Sequence, residues 1–110
     1  MAKKRKKAQY TVKAVVYLLK ERSALEALKE KGDIVATQIL VDLDTIIAEA
    51  EPTEKQAKAM ELVWVRGYKL KDAGEILGIT AQGVYFNLKL FQNKIKTVVE
   101  RWTNDGKYIN

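Results

Sequence analysis

Apolar residues recur along this chain at helical spacing, and turn residues cut the pattern into five helical stretches. Between Thr11 and Lys31, Val15, Leu18, Leu25 and Leu28 follow at intervals of three, seven and three, with Val12 and Leu19 beside them. Glu21, Arg22, Glu26, Lys29 and Glu30 fill the polar side, and Gly32 is placed to cap the end before Asp33. A second helix is expected over Ile34–Ala50, with Ile39, Leu43, Ile46, Ile47 and Ala50 on one stripe and Asp42, Asp44 and Glu49 elsewhere, Asp42 and Asp44 as solvated surface acids. Pro52 disfavours helix in the residue before it and marks a boundary.

Beyond that boundary Thr53 and Gln56 have the spacing of a capping box. Ala57, Met60, Leu62, Val63 and Trp64 offer a broad buried face, and Arg66 and Gly67 end the helix. Tyr68 and Leu70 are expected to seal the core from the next short helix, whose inner surface is Ala73, Ile76 and Leu77. Gly78 permits a tight turn, Ile79 returns to the core and the Thr80 hydroxyl caps a last helix. Val84, Leu88, Phe91, Ile95, Val98 and Trp102 follow at four, three, four, three and four, with Val99 widening the stripe. With no Pro or Gly between Val84 and Asp105, one long helix is expected. Its seam has two uses open to it: covering the N-terminal helices, or packing on a second copy.

The expected architecture is therefore all-α: a three-helix core with additional N-terminal helices and an extended C-terminal helix. Residues 1–10 are expected to form a basic, disordered arm too polar to fold alone, 11–51 an N-terminal helical segment, 52–104 the core with its long last helix, and 105–110 a frayed tail from which Tyr108 and Ile109 tuck back. At 110 residues the chain is one domain's worth. It contains neither Cys nor His, which removes disulfides, thiol chemistry and the usual zinc sites. No apolar run is long enough to cross a bilayer, and no signal peptide is expected.

Charge adds direction to this picture. The net +6 is concentrated at the two ends, with residues 1–7 carrying +5, residues 69–110 carrying +3 and the middle, 21–51, carrying −5. Lys3, Lys4, Arg5, Lys6 and Lys7 are suited to following phosphates in a salt-dependent, nearly sequence-independent way. No phosphate-cradling Gly loop or paired carboxylates stand out, since Asp42 and Asp44 lie two apart and do not share a helix face. An enzyme is not expected, and no cofactor or metal is implied.

A helix-turn-helix needs a bracing helix, a turn that lets the next helix cross steeply, and inward apolar residues just beyond it. Ala73, Gly78, Ile79, Val84 and Leu88 meet those demands, although periodicity alone fits a generic three-helix bundle as well. Thr53 with Gln56, Gly67-Tyr68, Glu75-Ile76-Leu77-Gly78-Ile79 and Thr80-Ala81-Gln82-Gly83-Val84 together resemble the C-terminal promoter-reading domain of bacterial sigma factors of the housekeeping (sigma-70) family. Phage regulators with sigma-like helix-turn-helix domains are similar too. The resemblance spans Thr53–Lys89, about a third of the chain, and nothing here resembles the sigma region that binds the melted promoter element.

By that resemblance, phosphate contacts fall at Lys69, Lys71 and Thr80, with Lys89 near the backbone, and groove-facing positions at Ala81, Gln82, Tyr85 and Phe86. Gln82 is the base-contact candidate, because an amide pairs bidentately with adenine. Ala81 and Phe86 stand where the family often has polar residues, which leaves direct readout thin. Gly74 and Gly83 each cost roughly 1 kcal/mol against Ala inside a helix, a cost that a close helix crossing would explain. The expected function is a phage or prophage transcriptional regulator that binds double-stranded DNA as a dimer in the bacterial cytoplasm, with RNA polymerase as a further partner and no membrane. The alternatives are a phage small terminase subunit, which would form a ring, and a helical protein-interaction module without DNA binding.

Overall fold

The computed structural model describes residues 10–104 together with the backbones of Arg5–Lys6 and Tyr108–Ile109. Six helices run α1 (Val12–Lys20), α2 (Arg22–Glu30), α3 (Ile34–Ala50), α4 (Glu54–Met60), α5 (Leu70–Leu77) and α6 (Ala81–Asn104). A π-helical turn over Glu61–Val65 prolongs α4. Arg5–Lys6 pairs antiparallel with Tyr108–Ile109, so the tail does fold back, onto the basic arm's backbone. The class is all-α, and no helix among the described residues is long and apolar enough to cross a membrane.

The 24-residue α6 is the axis of the molecule, with α1, α3, α4 and α5 packed against it. Val84, Leu88, Phe91, Ile95, Val98, Val99 and Trp102 are all buried, so the seam is consumed within one chain by the N-terminal helices. This corrects the use of that stripe as a dimer interface. The Phe91 ring stacks on Trp64 at 6.1 Å between centroids, and Trp102 meets Tyr10 edge-on at 6.2 Å.

Four expectations change. The stretch 11–31 is two helices, because Glu21 (φ −98°, ψ 13°) leaves the helical region. Val15 and Leu19 point into the core, but the next buried residue, Leu25, lies six further on, out of phase with a 3.6 repeat. The break re-aims α2 so that Leu25 packs inward, and Leu28 is left 43% exposed. After Met60 the ladder widens, with Arg66 N–H donating to Glu61 five residues back. The apolar pattern shifts accordingly: Ala59, Met60 and Trp64 are buried, while Ala57, Leu62 and Val63 are half-buried. Tyr68 is exposed and does not seal the core. Ile76, expected on the inner surface of α5, is 58% exposed beside Leu77 on an open groove against Met60 and Leu62.

Local chemistry fixes the helix ends. Thr11, Asp33, Thr53 and Thr80 each accept a backbone N–H three residues on. The capping box is complete, with Thr53 N–H donating to the buried Gln56 side chain at 3.1 Å. Gly32 and Gly78 adopt positive φ at helix ends, as their positions suggested. Gly74 is required by the turn that follows α5: a Cβ there would stand 2.6 Å from the Ile79 carbonyl oxygen. Gly83 is under less constraint, since its nearest neighbour would be the Thr80 hydroxyl at 3.3 Å.

The acids of α3 are also not idle solvated groups. Asp42 accepts from the Tyr10 hydroxyl at 2.7 Å and from Gln38, Asp44 takes the Arg22 guanidinium at 2.9 Å, and Glu49 accepts from Trp102 Nε1 at 2.9 Å. Burial, reinforced by the Asp42 hydrogen bond and charge, pushes the Tyr10 phenol well above its ordinary value. The hydrogen bond to Asp44 raises Arg22 in the same sense. These contacts fasten the N-terminal segment across the core.

Candidate nucleic-acid interface

The surface singled out by sequence is built by α5, the turn Gly78–Thr80 and the first three turns of α6. α5 ends because Gly78 takes φ 73°, and the N–H groups of Gly78 and Ile79 both turn back to the Gly74 carbonyl. The chain then passes close over Gly74 and restarts as helix at Ala81, where Thr80 Oγ1 accepts the Gly83 N–H at 2.9 Å. Ala73, Val84 and Leu88 lock the two helices together from behind, with Ile79 half-buried between them.

That inward lock sets what faces out. Gln82 and Lys89 are exposed, Tyr85 is 54% and Phe86 60% exposed, and Ala81 is half-buried at the helix start. Phe86 is therefore not part of the core. None of Gln82, Tyr85, Phe86 and Lys89 has a hydrogen-bond, ring or ion partner among the described residues. The Thr80 hydroxyl oxygen is engaged as a cap but the residue is exposed. Lys69 precedes α5 and Lys71 lies in its first turn, both exposed and without ion pairs among the described residues. Asp72 and Glu75 share that helix, so its outer surface is mixed in charge. The side chains of Lys3, Lys4, Arg5, Lys6 and Lys7 lie outside the described residues.

The arrangement brings Gln82, Tyr85, Phe86 and Lys89 onto one exposed helix surface with donors, an acceptor and two aromatic rings. Val84, Leu88, Phe91, Ile95, Val98 and Trp102 are kept on the opposite side as packing residues. A separate open groove, between α4 with its π-helical extension and α5, is bordered by Met60, Leu62, Ile76 and Leu77. Among the described residues no group of acidic side chains is arranged to hold a metal ion.

Further exposed cations went unmarked in the sequence. Lys96 on α6 and Lys13 and Lys20 on α1 are exposed, and none forms an ion pair among the described residues. The signal for Lys96 was available, since it continues the Gln82, Tyr85, Lys89 and Gln92 spacing of three, four, three and four. The apolar pattern left open whether the N-terminal helices or a second copy cover α6, so the place of α1 beside this stripe is decided by packing. Searches of protein-family models, of curated proteins and of solved structures find no match to this chain.

Proposed function

We propose that this protein binds double-stranded DNA through a sigma-like helix-turn-helix formed by α5 and α6, and acts as a phage or prophage transcriptional regulator rather than as an enzyme. One observation carries the reading: the first turns of α6 are locked from behind by Val84 and Leu88 while Gln82, Tyr85, Phe86 and Lys89 are left outward and unpartnered. In this reading Gln82 reads a base edge, Tyr85 and Phe86 give apolar contact to thymine methyl groups, and Lys69, Lys71, Thr80 and Lys89 hold phosphates. The arm Lys3–Lys7 adds grip that carries no sequence information.

One helix with a single amide reads few base pairs, so the protein acts as a dimer on a two-part site. The two copies meet on a surface other than the α6 seam, which is occupied.

Selection of duplexes from a random pool, followed by fluorescence anisotropy with selected and unselected DNA over a salt series, tests this. Affinity should fall steeply with salt, and Gln82→Ala should cut the preference for the selected site by roughly 5- to 100-fold while leaving binding to unselected DNA unchanged. No binding to any duplex at low salt sinks the proposal. A ring of many subunits in light scattering would favour the packaging role.

A further inference from the structure

On α6, Gln82, Tyr85, Lys89, Gln92 and Lys96 form one stripe, roughly 80 to 160° around the helix from the buried seam. Halfway along, the half-buried Gln92 forms the inner wall of a shallow groove against α1, whose other residues are Val12, Lys13, Val16, Tyr17 and Lys20. Lys13, Tyr17 and Lys20 stand at i, i+4 and i+7, so they form an outer rim, and Tyr17 is 61% exposed. Glu21 follows Lys20 in the chain, and Glu100 lines the adjoining hollow with Val12 and Lys96.

Two features of this groove point to a polyanion. The first is that its cations are unspent. Arg22, Lys58, Arg66 and Arg101 form ion pairs within the chain, whereas the groove's own Lys13 and Lys20 form none among the described residues, a state that Lys29 and Lys31 share away from the groove and Lys89 and Lys96 share on the neighbouring face of α6. The second is spacing. Ten residues of helix separate Gln92 from Gln82, about 15 Å, and a B-DNA major groove is about 12 Å wide. An α6 that enters the groove by its N-terminal end would carry the Gln92 level to the sugar–phosphate strand at its edge. There Lys13, Lys20, the Tyr17 hydroxyl and the Gln92 amide present hydrogen-bond donors side by side, over an apolar floor of Val12 and Val16.

We infer that the groove between α1 and α6 grips the DNA backbone flanking the segment that α6 reads, making α1 a second DNA-contacting element. This rests on the DNA-binding reading of α6 and adds to it a partner for the N-terminal segment. Contacts of this kind change affinity equally for all sequences and set salt dependence, not specificity.

The test uses the full chain carrying Lys13→Gln with Lys20→Gln, and a control of equal charge change, Lys29→Gln with Lys31→Gln, at the joint between α2 and α3. All four lysines are exposed and unpaired within the described residues, so thermal melting should be unchanged in both variants. Anisotropy with random-sequence duplex over a KCl series should show the first variant binding at least tenfold more weakly at moderate salt. Its slope of log K against log salt should fall by about 1.8, the value for two lost phosphate contacts. The control should match the wild type in slope. Equal effects in the two variants, or no change in the first, overturn the inference while leaving the reading of α6 intact if Gln82→Ala still loses site preference. Absence of duplex binding by the wild type overturns both. Lysine-dependent capture by phosphatidylserine vesicles, without duplex binding, overturns the inference and assigns the groove to lipid.

Discussion

The two flanks of α6 treat their polar residues in opposite ways. On the side of α3 and α4, Lys94 donates to the Gln56 side chain at 2.9 Å and to the Glu51 carbonyl at 3.2 Å. Glu49 takes the Trp102 indole N–H at 2.9 Å and lies 3.8 Å from Arg101. On the side of α1, Gln92 faces Lys13 and Lys20 across a groove, and none of these three, nor Lys89 and Lys96 along the same stripe of α6, has such a pairing among the described residues. The difference teaches which charges the fold has already used. Lys94 staples the α3–α4 joint, where Glu51 adopts φ 51°, and a residue committed there is unavailable to a ligand. The opposite flank holds the same residue types uncommitted.

The contrast is most severely broken at its far end. Trp102 is 5% exposed, packs on Tyr10 and is anchored through Glu49. Trp102→Ala should cost about 3–5 kcal/mol in urea unfolding, by lost burial plus the cavity left behind. An unfolding midpoint equal to wild type would mean that the closed flank does not hold the N-terminal segment. At the other end of α6, Gly74→Ala pushes a methyl group into the Ile79 carbonyl. A loss of about 2 kcal/mol is expected despite the better helix propensity of Ala. Gly83→Ala should be nearly neutral in the same assay, because only the Thr80 hydroxyl must yield.

A finer comparison separates the flanks by chemistry alone. Lys94→Met keeps the aliphatic stem and removes two charge-assisted hydrogen bonds, so it should cost about 1.5 kcal/mol of stability and leave the salt slope of the proposed DNA binding unchanged. The Lys13 and Lys20 variants should do the reverse. If Lys94→Met altered DNA binding as much as they do, the division between structural and available cations would fail.

Much of the secondary structure was legible in the chain. Ile34–Ala50 begins and ends where its stripe and the flanking Asp33 and Pro52 place it. The capping box at Thr53 and Gln56, the left-handed Gly78 and the Thr80 cap are local, needing only a few neighbouring residues to decide them. The division of α6 into a buried seam and an outer face was legible for the same reason, since a 3.6 repeat sustained from Val84 to Trp102 leaves little choice. Periodicity failed where the backbone left that repeat. The break at Glu21 and the π turn at Glu61–Val65 each shift the phase, which accounts for Leu28, Leu62 and Val63, while Tyr68 and Ile76 lie beyond both, exposed on the following turn and on α5.

By itself, then, the sequence determined an all-α chain, its caps, its left-handed turns and the two faces of its longest helix, because each of these rests on interactions within a few residues. Only the tertiary structure decided that the α6 seam is spent inside one chain, that Lys94, Glu49 and Asp42 serve as internal ties, and that α1 lies beside the α6 stripe. Those facts depend on contacts between residues tens of positions apart, such as Tyr10 with Asp42 and Glu49 with Trp102. Spacing along a single helix says which residues share a face, and only packing says what that face meets.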